Sequence, residues 1–292
     1  MTEIRVGISG WTYPPWRGVF YPADLPHRRE LEYAASRMNS VEVNGSFYAL
    51  QRPSSYRAWF EQTPDDFVFA VKGGRFITHM KKLADVGTPL ANFLGSGVLA
   101  LEHKLGPLLW QLPPMLGFNP DRLVAFFDQL PRTTAEAAQI AERHDARLRH
   151  GAMTAVSADR PLRHALEVRH RSYETPEFID LLRRHDIALV VADTAGKWPF
   201  LEDVTSSFVY VRLHGSQELY VSGYDDPALD WWADRVRTWA SGGSSPDART
   251  IGPAVEPKPS GRDVYVYFDN DVKVRAPFDA MSLAARLGAG PA

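Results

Sequence analysis

Glu42 and Asn44 stand two residues apart in Val41-Glu42-Val43-Asn44-Gly45-Ser46-Phe47-Tyr48. Val41 and Val43 are β-branched and suit a strand, where residues two apart share a face. A carboxylate and an amide on one face, then a glycine turn and two aromatics, are parts of a ligand site rather than of a core. The pattern repeats along the chain, with apolar runs ending in Ser9, Asn44, Lys72, Gln111, Arg169, Asp193, His214 and Asn270. The two-residue spacing adds Glu167 beside Arg169 and Arg212 beside His214. The expected acid–base groups are Glu42, Glu167, Asp193 and His214. Lys72, Arg75, Arg169 and Arg212 outnumber the three carboxylates, and arginine presents a fork that fits phosphate or carboxylate. A small anionic ligand is therefore expected. Because an unpaired buried charge is very costly, internal ion pairs such as Glu42 with Arg169 or Glu167 with Arg212 compete with that reading.

The elements that would position these groups follow from the runs themselves. Strands are expected at Ile4–Ser9, around Val41–Asn44, and at Phe67–Val71, Pro107–Leu112, Ala165–Val168, Ile187–Ala192, Phe208–Leu213 and Val264–Phe268. Helical patterns cover Glu30–Met38, the stretch from Pro53 to before Pro64, Pro89–Leu101, Asp121–Gln129, Thr133–Arg149, Pro176–Arg184, Leu229–Ala240 and Pro277–Leu287. Only about fifteen residues separate the sixth and seventh strands, so a reduced helix is expected there. Near-continuous apolar strands alternating with helices predict a parallel (β/α)8 barrel, a single domain spanning 1–292. Residues 133–163 form a helical insertion before the fifth strand, and 241–262, rich in Gly, Ser and Pro, a mobile loop. A doubly wound open sheet is the alternative, but Gly7, Gly10 and Gly18 lack the dinucleotide spacing.

Composition narrows the chemistry. The net charge is −2, which gives no global pull toward nucleic acid or membrane. The chain has no cysteine, so disulfides, thiolate metal sites and a cysteine nucleophile are excluded. No basic-then-apolar leader precedes Ile4 and no run of about 18 apolar residues occurs, so a cytoplasmic protein away from membranes is expected. No cofactor is predicted. A divalent metal would need about three of Glu42, Glu167, Asp193, His214 and Asn270 to converge, without His-x-x-x-His spacing to support it. Trp11, Tyr13, Trp16, Phe20 and Tyr21 crowd one early segment, as a hydrophobic plug or a stacking surface.

Taken together, Gly10-Trp11-Thr12-Tyr13, Val41 to Tyr48, Phe69-Ala70-Val71-Lys72, Gln111-Leu112-Pro113-Pro114, Glu167-Val168-Arg169-His170, Tyr210 to Gly215 and Phe268-Asp269-Asn270-Asp271 resemble the YecE-like proteins, domain of unknown function 72. The resemblance runs from the first strand to the last. It implies a TIM-barrel fold and no particular activity.

Three function classes remain open. The first is a hydrolase, lyase or isomerase acting on a small phosphorylated or carboxylated substrate, with Glu42 or Glu167 as base and His214 as acid. The second is a metal-assisted phosphodiesterase or nuclease with Trp11, Tyr13 and Tyr48 stacking bases, which the net charge disfavours. The third is an anion-binding module without chemistry. After the seventh strand, Gly215 and Gly223 bracket a segment whose Tyr220 and Tyr224 are expected either to close over the site or to pack on Trp231 or Trp232.

Overall fold

In a computed structural model, which describes residues 2–291, eight parallel strands close into a barrel in sequence order. They are β1 (Ile4–Ser9), β2 (Ser40–Val43), β3 (Val68–Lys72), β4 (Leu105–Gln111), β5 (His164–Glu167), β6 (Ile187–Asp193), β7 (Phe208–Leu213) and β8 (Asp263–Phe268). Closure is made by β1 on β8, from Ile4 opposite Val264 to Ile8 opposite Phe268. An open doubly wound sheet is thereby excluded. The helices are α1 (Glu30–Ala35), α2 (Gly45–Tyr48), α3 (Pro53–Glu61), α4 (Gly87–Gly95), α5 (Pro120–Phe127), α6 (Thr134–Ala141), α7 (Pro176–Arg184), α8 (Asp226–Ala240) and α9 (Ala276–Leu287).

The two-residue period of a strand sorts its side chains between two cores. Val6, Ile8, Val41, Val43, Phe69, Val71 and their equivalents face the helices. The barrel interior is filled from the other face. Here β3 to β6 give mostly small residues (Ala70, Leu109, Ala165, Ala188, Val190, Ala192), and β7 and β8 give Phe208, Tyr210, Tyr265 and Tyr267. The large rings of one side occupy the space the alanines leave. The register is tight enough that a Cβ on Gly7 would lie 1.9 Å from the Ser40 carbonyl oxygen.

Several expected helices are shorter, for local reasons. The stretch expected as Pro89–Leu101 divides at Gly97, which takes φ +115° and where a side chain would also meet Pro53 at 2.5 Å, so both backbone and space call for glycine. The expected Thr133–Arg149 helix is α6 alone. It begins on a Thr133 cap, buries Ala137, Ala138 and Ala141, and ends before the charged run from Glu142. The insertion is held to the barrel where Asp145 accepts a hydrogen bond from Asn92 of α4. Gly45–Tyr48 is one helical turn rather than an open turn.

No helix forms between β6 and β7 among the described residues, where a reduced one was expected. Ala195 and Gly196 take positive φ, and Thr194 Oγ1 receives the Trp198 amide at 3.0 Å, which commits the chain to a turn. The vacancy on that flank is covered by residues 249–252, which lie in the Gly-, Ser- and Pro-rich stretch 241–262. The carboxylate of buried Glu202 accepts from the Arg249 amide at 2.9 Å, and that of buried Asp203 from Ile251 and Gly252 at 3.0 and 2.9 Å. Gly252 is required by proximity, since a Cβ would lie 2.5 Å from Ile179 of α7.

Candidate functional site

The period that fills the interior also sets the site. Its inward residues next to the C-terminal ends are Ser9, Glu42, Lys72, Gln111, Glu167, Ala192 and Arg212, and β8 continues the alternation to Asp269. One layer of the barrel is thus almost entirely polar and lies directly above the tyrosine layer.

Arg212 is the centre of that layer and is fully buried. Its Nε and Nη2 donate to the two Glu42 oxygens at 3.0 and 2.9 Å, and Nη1 donates to Glu167 Oε2 at 2.6 Å. Nη2 also reaches Asp269 Oδ2 at 2.8 Å and Ser9 Oγ at 3.1 Å. Glu42 takes further hydrogen bonds from the Ser9 and Tyr210 hydroxyls. Both carboxylate oxygens of Glu42 and of Glu167 therefore face donors. Burial pushes the Glu167 carboxyl up, but the charges of Arg169 and Arg212 outweigh it and hold the group well below the usual carboxylate range. For Asp269 the same contest, with Arg212 the main opposing charge, ends in the same direction. His214 is buried with its Nδ1 3.1 Å from Asp269 Oδ2, close but outside regular hydrogen-bond alignment. Burial and then Arg212 push the imidazolium toward the neutral ring.

Above this floor opens a pocket of about 640 Å³. Lys72 stands in its wall, 5% exposed, with Nζ 4.4 Å from the centroid of the Phe47 ring. It makes no ion pair or hydrogen bond through Nζ to the described residues. Burial, then the charge of Arg212, bring its ammonium down to about 8. Beside it His79 is pushed down to about 4 by burial and then by Lys72, Arg169 and Arg75. Arg169 is spread over Trp198 at 3.8 Å, donates to Glu167 Oε1 at 2.7 Å, and holds Gln111 Oε1 at 3.0 Å. Asp271, facing the pocket, is raised to about 6 by burial and by Asp269.

The structure brings together most, not all, of the residues expected at the site. Tyr13, Asn44, Tyr48, Lys72, Arg75, Gln111, Arg169 and Tyr220 line the pocket. Glu42, Glu167, Arg212 and His214 lie beneath it, fully buried. Of the two ion pairs weighed from the sequence, Glu167 with Arg212 is present, and Glu42 pairs with Arg212 instead of Arg169. Four expected residues are elsewhere. Asp193 follows the inward Ala192, so alternation turns it outward, where it accepts the Tyr224 hydroxyl at 3.0 Å and faces a separate cleft with Trp231 and Arg235. Tyr224 is buried on Phe268 and fastens that carboxylate, so it neither closes over the mouth nor packs on the tryptophans. Asn270 is one residue out of phase and bonds Asp279 at 2.8 Å and the Ser222 carbonyl at 3.0 Å. Trp11 packs edge-on to Trp59 at 5.1 Å in a cleft behind β1 and β2. Tyr220 remains over the site, its ring edge-on to His214 at 5.4 Å.

Asp269, Tyr210 and Asp271 are site groups beyond those expected from the sequence. Asp269 had a legible signal, since Tyr265, Tyr267 and Asp269 share the phase of two. With Asp269 and Asp271 counted, the mouth carries four carboxylates (Glu42, Glu167, Asp269, Asp271) against four cations (Lys72, Arg75, Arg169, Arg212). The expected cationic excess therefore gives way to a balance in which, among the described residues, Lys72 and Arg75 make no ion pair while Arg169 and Arg212 do. Among the described residues no three His, Asp or Glu side chains are grouped to hold a metal ion, since the floor carboxylates turn onto Arg212. No helix of the described residues is long and apolar enough to cross a membrane.

The chain is similar to the Escherichia coli protein YecE, with 33% identity over 131 residues, and to the Bacillus subtilis protein YunF, with 31% over 116. These alignments span 44% and 38% of this chain, and 44% and 40% of the relatives' own lengths. A crystal structure of a DUF72 family protein from Thermotoga maritima superposes with a TM-score of 0.73 at 24% identity, covering 98% of this chain and 99% of that one. One from Enterococcus faecalis gives 0.70 at 16% identity, covering 98% and 95%. Both share the fold. The family model described as "Protein of unknown function DUF72" matches residues 5–292, and the chain belongs to that family.

Proposed function

We propose that this barrel is an enzyme that binds a small carboxylated or phosphorylated substrate in the mouth pocket and moves a proton on it, in a lyase, isomerase or hydrolase step. The observation that carries the reading is Lys72, a buried amine in the pocket wall with no ion pair or hydrogen bond through Nζ among the described residues and an ammonium brought down to about 8. A group of that kind sits where acid–base chemistry operates near neutral pH. Arg169 and the exposed Arg75 supply positive charge to hold an anion on the same side. Glu42, Glu167 and His214, expected as the acid and bases, serve in this reading as the support that fixes Arg212 and Asp269. Their oxygens already accept hydrogen bonds, and taking a proton would break the pairing with Arg212.

A thermal-shift panel of small carboxylates and phosphates tests it. The reading expects at least one class to stabilise the protein and Arg169→Gln to remove the shift. A ligand that stabilises both proteins equally would place binding elsewhere. A Lys72→Met variant that keeps ligand affinity but loses turnover separates an enzyme from an anion-binding module. Retained turnover in that variant would remove Lys72 from the mechanism.

A further inference from the structure

The molecule contains two buried lysines. Lys104, 3% exposed, donates to the Phe60 carbonyl at 2.7 Å, the Thr63 carbonyl at 2.8 Å and Thr63 Oγ1 at 3.3 Å. It also lies 4.3 Å from the Phe60 ring centroid. All three of its N–H groups are used, so it is a brace between α3 and β4. Lys72, 5% exposed, has the same aromatic contact at 4.4 Å and none of the hydrogen bonds. Among the described residues no carboxylate oxygen lies within 4.0 Å of its Nζ, although Glu42, Glu167 and Asp269 are fixed just below. Arg212 holds those three acids, which denies them to Lys72 and leaves the amine open to the pocket.

A desolvated amine near a fixed cation is the arrangement that makes lysine a nucleophile at neutral pH. Deepening the functional reading above, on which it rests, we infer that Lys72 forms a protonated Schiff base with an aldehyde or ketone that carries a carboxylate or phosphate. The neutral Nζ attacks the carbonyl carbon, the C–N bond forms, and the C=O π pair moves onto oxygen. That oxygen takes a proton from a pocket acid, for which Asp271, raised to about 6, and the Tyr220 hydroxyl are placed. The nitrogen, now carrying two protons, gives one of them through the pocket to the hydroxyl, which leaves as water; the nitrogen pair closes the C=N bond, and the iminium retains one N–H. His79, neutral at pH 7 and in the same wall, accepts and returns protons between these steps. The iminium then withdraws electrons from the adjacent carbon, and hydrolysis reverses the sequence to free the amine. The charge that forms on nitrogen lies over the Phe47 ring and above the floor carboxylates, which stabilise it. The anionic group of the substrate is left to Arg75, which makes no ion pair among the described residues, and to the outer edge of Arg169.

The test is reductive trapping of the whole protein at pH 7 with glyoxylate, the smallest aldehyde bearing a carboxylate, and with glycolaldehyde phosphate, each with cyanoborohydride. Peptide mapping reads the site. The expected result is a reduced adduct on Lys72 at least about tenfold faster than on exposed Lys82 and Lys273, with the rate rising through pH 8. The two probes show which anion the wall prefers. Lys82→Met is expected to keep the adduct and Lys72→Met to lose it, while Lys72→Arg, which keeps the charge, tests folding without the nucleophile. Labelling of Lys72 no faster than of the surface lysines overturns the inference. If anions still stabilise the protein and Arg169→Gln removes that effect, the broader functional reading survives alone; if neither trapping nor stabilisation occurs, both fall.

Discussion

The floor of the mouth and its β3 wall each hold a buried cation under opposite rules. Arg212, fully buried, is met by Glu42, Glu167 and Asp269 and by the Ser9 hydroxyl, and these acids are in turn supported by Tyr210 and Arg169. Lys72, nearly as buried, is met by a phenyl face and by the open pocket. The contrast teaches where binding chemistry can reside among many charges. A saturated group has nothing to offer a ligand without first breaking what holds it, whereas an unsaturated one gains by meeting a ligand. The floor fixes geometry and field, and in the proposed function the wall takes the ligand.

The most severe way to break this division is Arg212→Met, which leaves three buried carboxylates facing one another. We expect a loss of about 3–5 kcal/mol in chemical denaturation, the scale for removing one partner of a buried ion pair. A loss under about 1 kcal/mol would mean that the floor is hydrated and not saturated. Glu42→Gln keeps the shape but removes one charge from Arg212, and should cost about 2 kcal/mol.

Acid tests the same floor without a mutation. Glu167 and Asp269 have folded pKa values below their unfolded ones, so the unfolded state binds protons first as pH falls. Their stabilisation is present above about pH 4–5 and is lost progressively below it, by about 1.4 kcal/mol for each pH unit per carboxylate in that window. Urea midpoints measured from pH 7 to pH 3 read this directly, and a flat profile would contradict the pairing.

The wall sharpens the contrast from the other side. Lys72→Met removes a buried charge that no ion pair offsets, so stability should stay within about 1 kcal/mol or rise while reductive trapping is lost. A drop like that of Arg212→Met would show Lys72 to be structural. Smallest of all, Tyr48→Ser at the exposed rim should change stability by no more than about 0.5 kcal/mol. A larger thermal effect there would extend the structural region into the rim.

How far the sequence reaches follows from which forces are local. Apolar runs with polar ends made the barrel and its mouth readable, because each strand reports its own burial. Alternation placed Glu42, Glu167 and Arg212 together correctly. The last polar residue of a run is not always the one in phase: Asn270 follows the inward Asp269, and Asp193 follows the inward Ala192. Tyr210 and Tyr267 were hidden because an inward tyrosine within an apolar run looks like any core residue. The unsaturated state of Lys72 was not legible at all, since it depends on what Arg212, 140 positions later in the chain, has already bound.

The flank between β6 and β7 carries a consequence for assembly in time. Asp203 has no buried partner until the amides of Ile251 and Gly252 arrive, some 48 positions later. During synthesis this flank therefore emerges with that carboxylate unpartnered and no covering helix of its own, and closing the contact requires β7 and α8, which lie between, to be made first. Destabilising Gly252, by a valine that would collide with Ile179, should slow the last phase of refolding more than the first. The covering of this flank thus waits on residues 249–252, made long after the strand they shield.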